Sequence, residues 1–178
     1  MAAAVASARD NGAAINRTVG ASFAVSSLAP EFDLAAFSGS VAISSTGTIT
    51  IDNDIVYRNT GLASAGDIPQ LVLVGRDINI APNVRRVDAW LIASGTVTTC
   101  SGVAQSRLLA DCAGGLTING PIMAQQLQLN RSGRNTGQPS DPAETINLRG
   151  DAYIWANRVA SGTGRWQTVY TTELPPRY

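Results

Sequence analysis

The sequence predicts an all-β fold, a short right-handed parallel β-solenoid with an N-terminal covering segment. Three observations predict it. Apolar residues alternate at a period of two, the mark of strands with one buried face. This is clearest from Gln70 to Ala93 (QLVLVGRDINIAPNVRRVDAWLIA), where Leu71 and Leu73 precede Gly75, Ile78 and Ile80 alternate again, and Val84, Val87, Ala89 and Leu91 continue the series. A fragment of that pattern recurs in GTITIDNDIV and in GLTINGPIMAQQLQL, with an aliphatic pair followed by a further aliphatic at Ile51 to Ile55, Ile80 to Val84 and Ile118 to Ile122. Gly, Ser, Thr and Asn punctuate the strands, as tight corners require. An antiparallel β-sandwich is the alternative, because periodicity does not distinguish pairing direction.

Taken in order, residues 1–38 read as an arm or capping segment and residues 39–178 as the solenoid domain. Met1 to Gly20 is alanine-rich and is expected to be either a short helix ended by Asn11-Gly12 or a leader without structure of its own. A strand is expected within Ser22 to Leu28. Glu31 to Phe37 forms one amphipathic turn whose Phe32, Leu34 and Phe37 would cover a terminal coil. Val41 and Ile43, then Ile49 and Ile51, begin the β region. Asn59 to Pro69 is loop by composition. Cys100 to Cys112 leaves the repeat as an insertion, with a helical turn at Ser106 to Ala110. Leu116 to Leu129 makes a further coil with Pro121 at a corner, and Asn130 to Pro142 is a polar loop. Ile146 to Leu148 and Ala152 to Ala156 (AYIWA) read as strands, and Tyr170 to Glu173 as an edge. The expected core is Ile49, Ile51, Ile55, Ile78, Ile80, Val84, Leu116, Ile118, Ile122, Leu127 and Leu129.

Composition narrows the function classes. The 178 residues are 44% apolar and only 15% charged, with thirteen basic against thirteen acidic groups. That balance gives no basis for a nucleic-acid partner or an anionic membrane surface. All thirteen basic residues are arginine. Without lysine there is no Schiff-base chemistry, and without histidine the commonest general base and metal ligand are missing. No stretch reaches the roughly 20 apolar residues of a membrane helix. No metal site or cofactor is expected. Cys100 and Cys112 have eleven residues between them, too far apart for a redox C-x-x-C and too few for zinc. A disulfide closing a surface loop is the preferred reading, against two free, partly buried thiols. It would contribute about 2–3 kcal/mol through loop entropy and would suit an oxidising, extracellular setting. No signal peptide is in view, which conflicts with that setting unless the chain is a processed or excised fragment of a longer precursor.

The block VGRDINIAPNVRRVDAWLIA, a loop bounded by two cysteines, LTINGPIMAQQLQLNR, a polar loop, PAETINLRGDAYIWA and a terminal ELPPRY follow one another here. From about Gln70 to Tyr178 this order resembles β-rich C-terminal regions of surface-associated proteins from actinobacteria and ultra-small bacteria. The fragments TIDNDI and TINGPI are also similar to bactofilins, β-helical proteins that polymerise end to end. The resemblance implies a secreted or wall-linked location and a β-rich fold, and no particular activity.

Chemistry separates the candidate sites. Asp52, Asp54 and Asp77 with Arg76 would give an acid–base pair on a glycoside if carboxylates stood about 5–9 Å apart; as corner residues they would instead cap turns, which is the favoured reading. Asp52-Asn53-Asp54 lacks the glycine and glutamate of a calcium loop. Asn16-Arg17-Thr18 and Asn130-Arg131-Ser132 match the glycosylation tripeptide. Trp90, Tyr153, Trp155 and Trp166 are the aromatic candidates for a binding platform. The expectation is a non-catalytic structural or assembly module of an extracellular or cell-surface protein, self-associating into a homo-oligomer or filament. The alternative is an adhesive module that binds a cell-surface glycan, with a small lyase or hydrolase behind it.

Overall fold

The computed structural model describes residues 4–5, 15–28, 32–133 and 141–163. In chain order the strands are β1 (Ala4–Val5), β2 (Ile15–Val19), β3 (Phe23–Ala24), β4 (Ser40–Ser45), β5 (Thr48–Ile51), β6 (Gln70–Gly75), β7 (Asp77–Ile80), β8 (Arg86–Val87), β9 (Trp90–Ala93), β10 (Thr96–Thr98), β11 (Leu116–Asn119), β12 (Ile122–Met123), β13 (Gln126–Gln128) and β14 (Glu144–Asn147). Two α-helices, α1 (Leu108–Asp111) and α2 (Gly150–Thr163), complete the regular structure together with short 3-10 turns.

The strands form three sheets. The first has the order β1-β2-β4-β6-β9-β12, the second β13-β10-β7-β5-β3 and the third β14-β11-β8. Parallel bridges Ile55↔Val87 and Phe37↔Tyr57 carry the third sheet back toward the N-terminus. Successive strands visit the three sheets in turn, so each pass of the chain lays one strand beside the corresponding strand of the pass before. Among the described residues all strand pairs are parallel except β1 with β2. The antiparallel sandwich is thereby set aside.

Register turns alternation into rows. On the first sheet Ile43 pairs with Leu73, Leu73 with Leu91 and Leu91 with Ile122. On the second, Phe23, Ile49, Ile78, Val97 and Leu127 stand in one row. On the third, Ile55, Val87, Ile118 and Ile146 do the same. Parallel pairing in register stacks side chains on the same face, and the central members of these rows are fully buried in one apolar cluster. Corners between sheets are closed by backbone approach. Gly120 follows β11, where a Cβ would overlap the Ala89 carbonyl oxygen.

Several sequence expectations are corrected. Ile51 does pair with Ile80, but Ile118 lies on the third sheet beneath Val87. The segment LTINGPI is therefore offset by one face from TITIDNDI; Leu127, not Leu116, continues the row of Ile49 and Ile78. Leu127 and Leu129 are exposed and Ile122 half-buried, because β12 and β13 are the outermost strands of their sheets among the described residues. Of the stretch before Asn11-Gly12, read as a short helix or a leader, only Ala4–Val5 is described, as strand β1; the rest of that expectation lies outside the described residues. Beyond it Ile15–Val19 is β2, which pairs in parallel with β4. Ser22 to Leu28 is β3 followed by a 3-10 turn at Val25–Leu28. AYIWA is helical, part of α2. The expected edge at Tyr170 to Glu173 and Trp166 lie outside the described residues, as do residues 134–140 of the polar loop.

Candidate functional site

Two regions stand out from the packed middle of the molecule, the last pass and a polar corner beside the third sheet. The last pass consists of β12, β13 and β14. Leu127 and Ile146 stand in inward rows whose preceding members, Val97 and Ile118, are buried, yet they are 41% and 44% exposed. Met123, Leu129 and Leu148 add to the uncovered apolar surface. These three strands are also the outermost members of their sheets, and an outermost strand presents unpaired N–H and C=O groups along its free side. The first pass differs. There Val25, Leu28, Leu34 and Phe37 are buried in the main cluster and Phe32 packs against it.

The polar corner repeats from pass to pass. Asp88 is fully buried directly after β8. It receives Arg86 Nε and Nη2, each at 2.9 Å, Asn119 Nδ2 at 2.7 Å and the Tyr57 backbone N–H at 2.9 Å. Asn119 Oδ1 in turn accepts Asn147 Nδ2 at 2.9 Å. Burial pushes the Asp88 carboxyl up, but the hydrogen bonds from Arg86, Asn119 and the Tyr57 N–H outweigh it and hold the group below its ordinary value. Such a fully partnered charge is the form in which a carboxylate tolerates burial. Tyr57 closes the other side: its hydroxyl accepts the Leu71 N–H at 2.6 Å, and burial raises its pKa well above the usual phenol range. The Arg149 guanidinium lies 4.4 Å over the Tyr57 ring and pairs with Asp151 in the first turn of α2. Tyr57, Arg86, Asp88, Asn119, Arg149 and Asp151 line a cleft of about 400 Å³ together with Arg58, Leu62 and Pro69.

The carboxylates weighed for acid–base work are all engaged at corners. Asp52 accepts the Ser26 N–H and hydroxyl. Asp54 accepts the N–H groups of Arg85 and Arg86 at 2.6 and 3.1 Å. Asp77 accepts the Thr96 N–H at 3.0 Å and Arg76 Nε at 2.8 Å, and these bonds lower its pKa. Among the described residues no group of three His, Cys, Asp or Glu converges as a metal site.

Cys100 and Cys112 form a disulfide with Cα atoms 5.8 Å apart. Cys100 adopts a positive φ of 48°, a left-handed turn uncommon outside glycine. The cross-link joins the end of the second sheet to the foot of α1. Beside it lies a buried polar cluster with no signature in the sequence. Arg131 is buried, and its Nη groups donate to the carbonyls of Ala81, Pro82 and Val84 at 2.6–2.9 Å. Burial lowers its pKa. Thr99, also fully buried, bonds Glu144, Asn130 and Gln128. Asn130 Nδ2 donates to the Thr99 carbonyl at 3.0 Å, so this tripeptide asparagine is engaged in holding the corner.

The aromatic candidates do not share one element. Trp90 opens β9 on the outward face, half-buried, with Nε1 donating to the buried Gln70 Oε1 at 2.7 Å. Tyr153, largely exposed, and Trp155, half-buried, are on α2. No helix among the described residues is long and apolar enough to cross a membrane. Comparison with protein-family models, with curated proteins and with solved structures finds no match for this chain.

Proposed function

We propose that this chain is a short right-handed parallel β-solenoid serving as a non-catalytic structural and assembly module, whose last pass docks onto a second copy. The observation that carries this reading is the exposure of Leu127 and Ile146 at the ends of otherwise buried rows. Edge strands with free backbone groups and an uncovered apolar interior favour addition of another chain. A right-handed crossover is the general rule for parallel strands joined within a sheet. The disulfide supports an extracellular or cell-surface location, where such bonds persist, and the likeness to surface-associated bacterial proteins is consistent with it. The neutral charge balance leaves no long-range repulsion between copies.

Light-scattering mass measured across a concentration series tests the assembly role. Wild type gains mass with concentration, as a dimer or as a filament of repeating copies. Leu127→Arg, which places a charge at the exposed last position of its row beside Val97, stays monomeric. A wild-type monomer at every concentration would remove the assembly reading.

A further inference from the structure

We propose that the corner cleft between Tyr57, Arg86 and the start of α2 is a binding site for a carboxylate-bearing sugar, a uronate unit of an acidic glycan, with Arg58 as its principal anchor. At about 400 Å³ the cleft falls within the roughly 300–1,000 Å³ typical of small-ligand sites. Three guanidinium groups, those of Arg58, Arg86 and Arg149, line it against two carboxylates, Asp88 and Asp151. One positive charge is left over, which matches a monoanion better than a phosphate dianion.

The hydrogen-bond pattern shows where that charge is available. Arg86 spends Nε and Nη2 on Asp88, and Arg149 spends Nε and Nη2 on Asp151. Each keeps its Nη1 free of any described acceptor. Arg58 is exposed, and its side chain meets no described acceptor at all. A planar carboxylate taken by one guanidinium fork is the strongest geometry open to such a group. Around this anchor the walls are mixed. Leu62 and Pro69 offer an apolar face for the C–H side of a pyranose ring, while Asn59 and Asn119 supply polar lining for its hydroxyl groups. The rigidity of Asp88, held by four hydrogen bonds, fixes Arg86 in place before any ligand arrives, which lowers the ordering cost of binding.

The site lies at a corner of the third sheet and does not depend on the assembly reading. Its test is calorimetric titration with tri-galacturonic acid, with neutral maltotriose and inorganic phosphate as controls. Tri-galacturonic acid binds wild type, and added salt weakens the binding because the contact is ionic and partly exposed. Arg58→Ala weakens it at least about tenfold, the scale of a lost charge-assisted hydrogen-bond pair, and Arg58→Lys retains part of the affinity. Because Arg58 is exposed, neither variant disturbs the core. No binding of tri-galacturonic acid, equal binding by maltotriose, unchanged affinity in Arg58→Ala, or tighter binding of phosphate would each overturn the proposal.

Discussion

The two ends of the strand stack are built from the same kind of residue and end up in opposite states. In the first pass Val25, Leu28, Leu34 and Phe37 are buried. In the last, Leu127 and Ile146 occupy inward rows and remain more than two-fifths exposed. A row of aliphatics is buried only where there is a neighbour on each side, so burial here belongs to the position in the stack and not to the residue. The first pass has 3-10 turns folded onto it; the strands of the last are outermost in their sheets among the described residues.

The largest effects should come from breaking the middle of the stack. Leu73 stands between Ile43 and Leu91, so Leu73→Ala removes contacts on both sides and should cost about 2–5 kcal/mol in denaturant unfolding. Gly120→Ala forces a Cβ onto the Ala89 carbonyl, a backbone obstacle that cannot rotate away; a loss of about 1–3 kcal/mol is expected. Reducing the disulfide, or replacing Cys100 and Cys112 together by serine, should lower stability by about 2–3 kcal/mol, measured as a fall in Tm relative to the oxidised protein.

A smaller effect distinguishes the polar corner from the apolar ends. The Asp88 carboxyl is held below its unfolded value, so the stability it contributes is complete above about pH 5. It is lost as pH falls through the folded value. Wild type should therefore lose thermal stability between neutral pH and about pH 3. Asp88→Asn should start lower, having lost its pair with Arg86, and fall less over the same interval. Smallest of all, Leu127→Ala should change monomer stability by less than about 1 kcal/mol, since two-fifths of the residue is exposed and its row has a neighbour on one side only. Equal losses for Leu73→Ala and Leu127→Ala would erase the distinction between middle and end.

Much of the strand content was legible in the sequence. The alternation in SVAIS, TITI, QLVLV and DINI names the strands β4 to β7 and their inward residues correctly, because two consecutive strands of clean period two leave little choice. Phase was not legible. Every face uses short strands with the same aliphatic-x-aliphatic signature, so LTIN could be placed under TITI when it belongs beneath Val87. The insertion from Cys100 to Cys112 breaks the count that would have corrected this. AYIWA misled for the opposite reason: its apolar run has no period of its own, and it sits in the α2 segment that begins at Gly150. The corner cluster left a signal that could have been found. Tyr57, Asp88 and Asn119 lie 31 residues apart in sequence, with Asn147 28 further on, close to one pass of the chain. Polar residues recurring at that interval mark a shared corner. Arg131 left none, since nothing local separates a buried arginine from a surface one.

On the proposed reading the last pass is an open edge offered to a second copy. Amide hydrogen exchange at low and high protein concentration tests it most directly. Protection at Ile122–Met123, Gln126–Gln128 and Glu144–Asn147 should rise with concentration while that of Thr48–Ile51 and Asp77–Ile80 stays constant. Protection of the last strands that is the same at both concentrations would contradict the account.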